Sequence, residues 1–222
     1  MVEQSHLFLD DTYLLSIDTR FESRALGSDR VSIIPADNIV HAQGGGQPSD
    51  DVTVNDVPAE VVKEAGRVAL LVPADRAHGF IDEHRVTIRV DRDTRLRHAA
   101  LHTFGHIIAN VLDEHGWFAK KANHFPSEAR IEFTRKDPSN MTDWSDIEDD
   151  VKSRLSQVLS QRLPVHVRQD KKTSFVQVGD LPEFPCAGTH VRDTGCLATY
   201  EIISTKIKKG VLKVRYDAKH TE

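Results

Sequence analysis

The sequence predicts an α+β fold in two parts, a strand-rich N-terminal half followed by a half that mixes strands with two long helices. Residues 1–90 contain short β-like runs separated at close intervals by Asp, Asn, Gly and Pro. Near Asp91 the hydrophobic period changes to that of a helix, and alternating strands return after the helix. We therefore expect two domains, 1–90 and 91–222.

The first half contains six candidate strands joined by short turns. Several short strands with short turns favour a small barrel or sandwich over βαβ units. The predicted strands are Val31–Ile34, Asn38–His41, Val52–Val54, Glu60–Lys63, Val68–Val72 and His84–Val90.

The second half begins with a predicted amphipathic helix, Arg95–His115, with Leu96 and Ile107 in its buried stripe. A second helix is predicted over Asp143–Arg162, with Thr142 as its N-cap. The other predicted elements are Trp117–Asn123 as strand or loop, strands at Ala129–Phe133, Pro164–Arg168, Phe175–Val178 and Tyr200–Ile203, and a closing hairpin that turns at Gly210.

Charge and composition exclude several classes of protein. The net charge is −5, with −7 in residues 1–90 and +2 in residues 91–222, so the second half is the side expected to face an anion. Two cysteines give no disulfide framework, and the N-terminus does not resemble a secretory signal. No stretch approaches the roughly 20 apolar residues of a membrane span. We expect a cytoplasmic protein that contacts no membrane.

A glycine-rich segment, HAQGGGQPSDD, extends from His41 to Asp51. Three consecutive glycines permit positive φ and a close approach of the backbone to another group. A flexible hairpin turn is the simplest interpretation of the glycines alone. The segment is not a Walker loop, because no Lys-Ser/Thr follows the last glycine, and it opens no βαβ unit. The sequence therefore predicts no nucleotide cofactor.

Two pairs of potential metal ligands lie far apart in the sequence. His102 and His106 are four residues apart on the predicted helix and so point the same way. Cys186 and His190 in CAGTH have the same spacing, and Gly188 between them permits the sharp bend that would turn both inward. Either pair could consist of ordinary core or surface residues, but together they predict a zinc site with four ligands of preferred types.

His98, one turn before His102, is a candidate catalytic base or supporting donor. A polar residue at the edge of the buried stripe is the interpretation that we favour. Four protein ligands are typical of a structural zinc, whereas a catalytic zinc keeps one position open. The residues alone therefore leave both roles open for the metal.

Three motifs together, GGGQPSD, D-x-x-x-R before HTFGH, and CAGTHVRDTG, resemble the alanyl-tRNA editing family. This family comprises the editing domain of alanyl-tRNA synthetase and the stand-alone AlaX proteins. The resemblance implies a small N-terminal β-barrel followed by a two-layer α+β editing domain. It also implies hydrolysis of mischarged tRNA(Ala), chiefly Ser-tRNA(Ala) and also Gly-tRNA(Ala), with the acceptor stem as partner.

The resemblance further implies roles for particular residues. One zinc ion per chain would be held by His102, His106, Cys186 and His190. The glycine segment would border the substrate pocket through Gln43, Gly44, Gly45, Gly46 and Gln47. Gln47, which matches the family's glutamine, is a candidate catalytic residue, and Thr103 and His98 are further candidates by their positions beside His102. Basic residues expected to contact tRNA phosphates are Lys120, Lys121, Arg130, Lys206, Lys208 and Lys209.

The chain departs from the family pattern near the first ligand pair. The family's HTAxH is here HTFGH, which places Phe104 and Gly105 inside the helix. Gln43 stands in a region that shapes the amino-acid pocket. Two other functions therefore remain open: a non-catalytic tRNA-binding protein with a structural zinc, and a metal hydrolase of another aminoacyl ester. Both a monomer and a homodimer are compatible with the sequence.

Overall fold

The computed structural model describes residues 4–81, 84–137, 139, 143–170 and 173–221. The chain divides into two compact units. The first comprises Met1–Gly44 and Pro48–Arg95, and the second comprises Gly45–Gln47 and Leu96–Glu222. The centre of the glycine-rich segment thus belongs to the second unit.

In the first unit, six antiparallel strands pair in a closed ring, in the order β2-β3-β7-β6-β5-β8. Ile33, Leu70 and Ile88 are fully buried in its core. The elements are β1 (Ser5–His6), a 3-10 turn (Leu7–Leu9), β2 (Ser16–Leu26), β3 (Arg30–Pro35), β4 (Asp37–Asn38), β5 (Val52–Val54), β6 (Val57–Glu64), β7 (Arg67–Pro73), helix α1 (Ala74–Ile81) and β8 (Arg85–Val90). Outside the ring, β1 and β4 form a short parallel pair.

The predictions for this unit were incomplete. Strand β2 and helix α1 were not predicted. Most β2 side chains are fully or partly exposed, and many are polar, so its sequence lacks a regular apolar face. The predicted strand Asn38–His41 continues β4 only at Asn38. Its last residues do not join a ladder, because the Ile39 carbonyl accepts from Arg95 and the His41 N–H donates to Asp50.

Two interactions explain the D-x-x-x-R motif, which is Asp91 to Arg95: Asp91 caps a helix, and Arg95 forms a buried ion pair. Asp91 caps the next helix, since its Oδ1 accepts the N–H of Thr94 at 2.8 Å. The Arg95 guanidinium donates to both carboxylate oxygens of Asp50, at 3.0 and 2.6 Å, and to the carbonyls of Ile39 and Thr12. Both charged side chains are 0% exposed. This pair joins Asp50, near the end of the glycine-rich segment, to the first turn of the helix that contains His102.

The second unit combines two sheets with long helices. Its elements are α2 (Arg92–Glu114, of which the first four residues belong to the first unit), β9 (Trp117–Asn123), β10 (Arg130–Arg135), α3 (Trp144–Ser160), β11 (Val165–Asp170), β12 (Thr173–Val178), β13 (Phe184–Pro185), a 3-10 turn (Thr194–Cys196), β14 (Leu197–Lys208) and β15 (Val211–His220). The sheets have the orders β14-β15-β10-β9 and β11-β12-β13.

The core of the second unit lies between its helices and the four-stranded sheet. One buried cluster includes Leu101 of α2, Leu155 of α3, Phe133 of β10 and Val214 of β15. The mixed α+β class is therefore confirmed. Helix α3 begins after Asp143, which takes the N-cap position, and the predicted cap Thr142 lies outside the described residues. None of the described helices is both long enough and apolar enough for a membrane span.

We predict that Arg95→Met lowers the free energy of unfolding by about 3–5 kcal/mol, because the substitution leaves the Asp50 carboxylate buried without its partner. Urea unfolding measures the change. The matched control is Arg85→Met, which removes an exposed ion pair with Asp18 and should cost less than about 1 kcal/mol. Equal losses in the two variants would contradict the importance of the buried pair.

Candidate metal centre

Four side chains of the second unit converge on one point. His102 and His106 lie on α2, and Cys186 and His190 lie in the segment that follows β13. One potential ligand atom from each residue lies within 4.8 Å of all the others. The structure thus brings together the two pairs that the sequence separates by about 80 residues, and the cluster could hold a metal ion.

Two of the three imidazoles present their Nε2 atoms to the cysteine sulfur. Nε2 of His102 and Nε2 of His190 each lie 3.3 Å from Sγ of Cys186. The rings of His102 and His106 are stacked, with centroids 5.0 Å apart and planes 10° apart, as expected for residues one helical turn apart. This arrangement leaves room for an ion among the four atoms.

Gln47 determines which nitrogen of His102 faces the site. Its Oε1 lies 2.7 Å from Nδ1 of His102 and also accepts the N–H of Thr189 at 3.0 Å. Its Nε2 donates to the Thr189 hydroxyl at 2.9 Å. Because an amide oxygen only accepts, Nδ1 of His102 must hold the proton. The lone pair of Nε2 is then available to a metal, the usual arrangement for a ligating histidine.

Thr103 supports His190 in a related way. Its Oγ1 lies 3.4 Å from Nδ1 of His190 and accepts the N–H of Val191 at 3.0 Å. Thr103 is fully buried. The hydroxyl is therefore placed behind a ligand, where a supporting hydrogen bond fits better than a direct role in the reaction.

Gly188 permits the close packing of this segment. A Cβ at this position would lie 2.3 Å from Cε1 and Nδ1 of His102 and 2.7 Å from Oε1 of Gln47. Any larger residue would displace the histidine, its hydrogen-bond partner or the backbone. Gly188 is not among the glycines with positive φ, so the structure gives the predicted need for glycine a steric cause and not a conformational one.

Burial favours the neutral forms of two potential ligands, His106 and Cys186. Desolvation lowers the pKa of His106 to about 4, so its imidazole is neutral near pH 7. Desolvation also raises the pKa of the Cys186 thiol to about 11, an effect partly offset by a hydrogen bond from the Gly188 N–H. A bound cation would favour the thiolate and compensate for this cost.

One atom of the cluster is suited to coordinate a metal. Nε2 of His106 is buried and has no hydrogen-bond partner among the described residues. A buried polar atom without a partner is costly, and coordination of an ion would satisfy it. Three imidazoles and one thiolate are a donor set that suits zinc.

The remaining predicted site residues, which are those of the glycine-rich segment and His98, do not all belong to one unit. Gly45, Gly46 and Gln47 belong to the same unit as the metal cluster. Gln43 is exposed, and it and Gly44 belong to the first unit. His98 is buried on α2 one turn before His102. Its role as a base stays a prediction.

Two residues beside the cluster, His124 and Tyr216, were not predicted from the sequence. The ring of His124, just after β9, stacks on His102 with centroids 4.2 Å apart. Its Nδ1 forms a short hydrogen bond with the hydroxyl of Tyr216 in β15. Neither residue has a partner at a recognisable spacing in the sequence, because the sheet brings them to the helix from distant strands.

The expected tRNA-binding residues fall largely on one face of the four-stranded sheet. Cross-strand pairing aligns Lys121 with Glu132, Glu132 with Lys213, and Lys213 with Lys206. Directly paired residues point to the same face. The next row pairs Arg130 with Arg215. This basic face contains Lys121, Arg130, Lys206, Lys208, Lys213 and Arg215, of which Lys213 and Arg215 were not predicted.

Lys120 and Lys209, which were also predicted to contact tRNA phosphates, lie close to this face. Lys120 stands beside the irregularity in the pairing of β9 with β10 and lies over the ring of Phe118. Lys209 lies in the turn between β14 and β15, with a φ of 49°. Both side chains are exposed.

The fold and the cluster together define a class of protein, an α+β protein with a site of three histidines and one cysteine that could bind a metal. Comparison with known proteins then gives relatives. The chain is 26% identical to the alanyl-tRNA editing protein AlaX-M of Pyrococcus horikoshii over 84% of each chain. It is also 26% identical to AlaX-L of the same organism, over 87% of this chain and 52% of AlaX-L.

Alanine–tRNA ligases are relatives as well. The ligase of Methanothrix thermoacetophila is 26% identical over 93% of this chain, which spans 25% of the ligase. No family model matches the chain. The chain is therefore a relative of the alanyl-tRNA editing proteins, and the resemblance predicted from its three motifs is confirmed.

We predict that Cys186→Ala lowers bound zinc by at least tenfold at equal free zinc, because one of four ligand atoms is lost. Metal content is measured after dialysis against a zinc buffer. The matched control is Cys196→Ala, which removes a thiol that is not part of the cluster and should leave zinc content unchanged. Full occupancy in Cys186→Ala would show that the ligand assignment is wrong.

Proposed function

We propose that this chain is a zinc-dependent hydrolase that removes a wrongly attached amino acid from tRNA(Ala) in the cytoplasm. Ser-tRNA(Ala) is the principal substrate and Gly-tRNA(Ala) a second one. The observation that supports the proposal is the convergence of His102, His106, Cys186 and His190 in a chain related to alanyl-tRNA editing proteins.

Zinc is the ion that the donor set favours, with one ion per chain. Nε2 of His102, Nε2 of His190, Nε2 of His106 and Sγ of Cys186 would hold it. When bound, zinc would supply a Lewis acid next to an ester that is already activated. The protein then needs chiefly to position the ester and a water molecule.

The protein's own residues would keep this site in its working geometry. Gln47 holds the Nδ1 proton of His102, and Thr103 occupies the corresponding side of His190. We therefore assign both residues to positioning of the ligands rather than to contact with the reacting atoms. Loss of such supporting hydrogen bonds typically costs 10–100-fold in metal affinity or activity.

The basic face offers a surface for the tRNA acceptor stem. Six cationic side chains lie on neighbouring strands, with Glu132 between Lys121 and Lys213. Exposed cations bind phosphates without reading sequence, and each contact makes binding weaker at higher salt. Contacts of this kind to an RNA helix recognise its shape and backbone.

A structural zinc in a non-catalytic tRNA-binding protein is the second candidate function. The ligand count favours it, because four protein ligands fill the tetrahedral positions of zinc. This candidate predicts tRNA binding without turnover, and unfolding on removal of the metal.

We predict that the zinc-loaded protein deacylates Ser-tRNA(Ala) faster than Gly-tRNA(Ala), and both much faster than correctly charged Ala-tRNA(Ala). Release of labelled amino acid is followed for the three substrates side by side, with a chelator-treated sample as control. Absence of zinc-dependent release, with metal content confirmed, would exclude the proposed activity. Turnover of small aminoacyl esters that excess tRNA does not inhibit would instead indicate a different ester substrate.

The same assay tests the basic face. Lys206→Ala combined with Lys213→Ala should raise KM for the aminoacyl-tRNA and flatten its salt dependence, with kcat nearly unchanged. The matched control is Lys152→Ala on α3, whose lysine pairs with Glu148. An equal effect of both changes would mean that the face is not the tRNA-binding surface.

A further inference from the structure

His124 occupies a fixed position beside the metal cluster. Its ring stacks on His102, with planes 23° apart, and only 3% of the residue is exposed. Its backbone N–H donates to the carbonyl of Gly46 at 2.8 Å. The glycine-rich segment and helix α2 therefore both hold this residue in place.

Two glycines make room for the His124 ring. A Cβ at Gly105 would lie 2.7 Å from Cε1 and 2.9 Å from Nδ1 of His124. A Cβ at Gly46 would lie 2.6 Å from the Ala122 carbonyl oxygen and 3.3 Å from Cδ2 of His124. Nε2 is the ring atom bonded to both Cε1 and Cδ2. It therefore lies between the helix at Gly105 and the loop at Gly46.

Tyr216 determines the tautomer of His124. The tyrosine is 1% exposed, and among the described residues its hydroxyl has a hydrogen bond only with Nδ1 of His124. A buried hydroxyl needs an acceptor for its proton. Nδ1 is that acceptor, so the ring proton of a neutral His124 resides on Nε2. Phe104 packs edge-on against the Tyr216 ring, with centroids 5.8 Å apart, and helps to fix it.

We propose that His124, held in this tautomer by Tyr216, donates a hydrogen bond from Nε2 to the ester carbonyl oxygen of the bound substrate, where negative charge develops during hydrolysis. This inference rests on the proposed hydrolase function. A donor that is fixed before the reaction stabilises the developing charge without reorganisation. His124 is then a catalytic residue and Tyr216 a positioning residue.

The proposal also gives a function to the HTFGH sequence. Gly105 leaves space for His124 and for the Tyr216 hydroxyl, which would lie 2.7 Å from a Cβ at this position. Phe104 provides the surface on which Tyr216 packs. Phe104 and Gly105, which stand between the two ligand histidines of α2, thus both lie against the proposed donor pair.

The tautomer is tested first, on the zinc-loaded wild-type protein. Long-range ¹H–¹⁵N NMR of the imidazoles, assigned with His124→Gln, should show the proton of His124 on Nε2. A proton on Nδ1 would overturn the proposal whether or not the protein hydrolyses aminoacyl-tRNA. This measurement therefore fails independently of the proposed function.

Kinetics with Ser-tRNA(Ala) test the role of the donor. His124→Leu should lower kcat about a hundredfold with little change in KM, and His124→Gln, which retains a donor, should recover part of the loss. Tyr216→Phe should lower kcat about tenfold at unchanged zinc content. The matched control is Tyr200→Phe, because Tyr200 also packs on Phe104 but is exposed.

Two kinetic results would overturn the proposal. One is a kcat of the His124→Leu variant that equals that of the wild-type protein, measured at full zinc occupancy. The other is a loss of preference for Ser-tRNA(Ala) over Ala-tRNA(Ala) without a fall in kcat, which would mean that His124 contacts the amino-acid side chain instead. An inactive wild-type protein would count against the hydrolase function, and the NMR result would still decide the tautomer.

Discussion

The side-chain amide of Gln47 connects the three parts of the chain that form the candidate site. It comes from the glycine-rich segment, accepts from His102 on α2, and exchanges hydrogen bonds with Thr189 between the second pair of ligands. Each of its hydrogen bonds specifies an orientation of a partner. The residue is fully buried, so loss of one bond would leave a polar atom unsatisfied. The geometry of the metal cluster depends on this amide.

Glycines allow the segments around the amide to approach one another. Gly188 lies against His102, and Gly46 and Gly105 lie against the 122–124 segment. In each case the space of a missing Cβ is occupied by a backbone atom or by a side chain of the site. Glycine instead of alanine at position 105 destabilises the helix by about 1 kcal/mol. That cost is offset by a position for His124 that no larger residue at 105 would permit.

Local patterns in the sequence were sufficient to predict the ligand cluster. The spacing of His102 and His106 follows from helical geometry, whereas glycine is needed at position 188 to leave room for His102 and does not have a positive φ. Strands with an apolar period, such as β5 and β10, were also recognised. Strand β2 was missed because its side chains are mostly polar and partly exposed. His124 and Tyr216 were missed because only the sheet, through long-range pairing, brings them to α2.

The central claim is that three imidazoles and one thiolate of this chain bind a single zinc ion. X-ray absorption at the zinc edge of the loaded protein tests it most directly. The account predicts one sulfur at about 2.3 Å and three nitrogens at about 2.0–2.1 Å from the metal. A first shell without sulfur, or one made mainly of oxygen atoms, would contradict it.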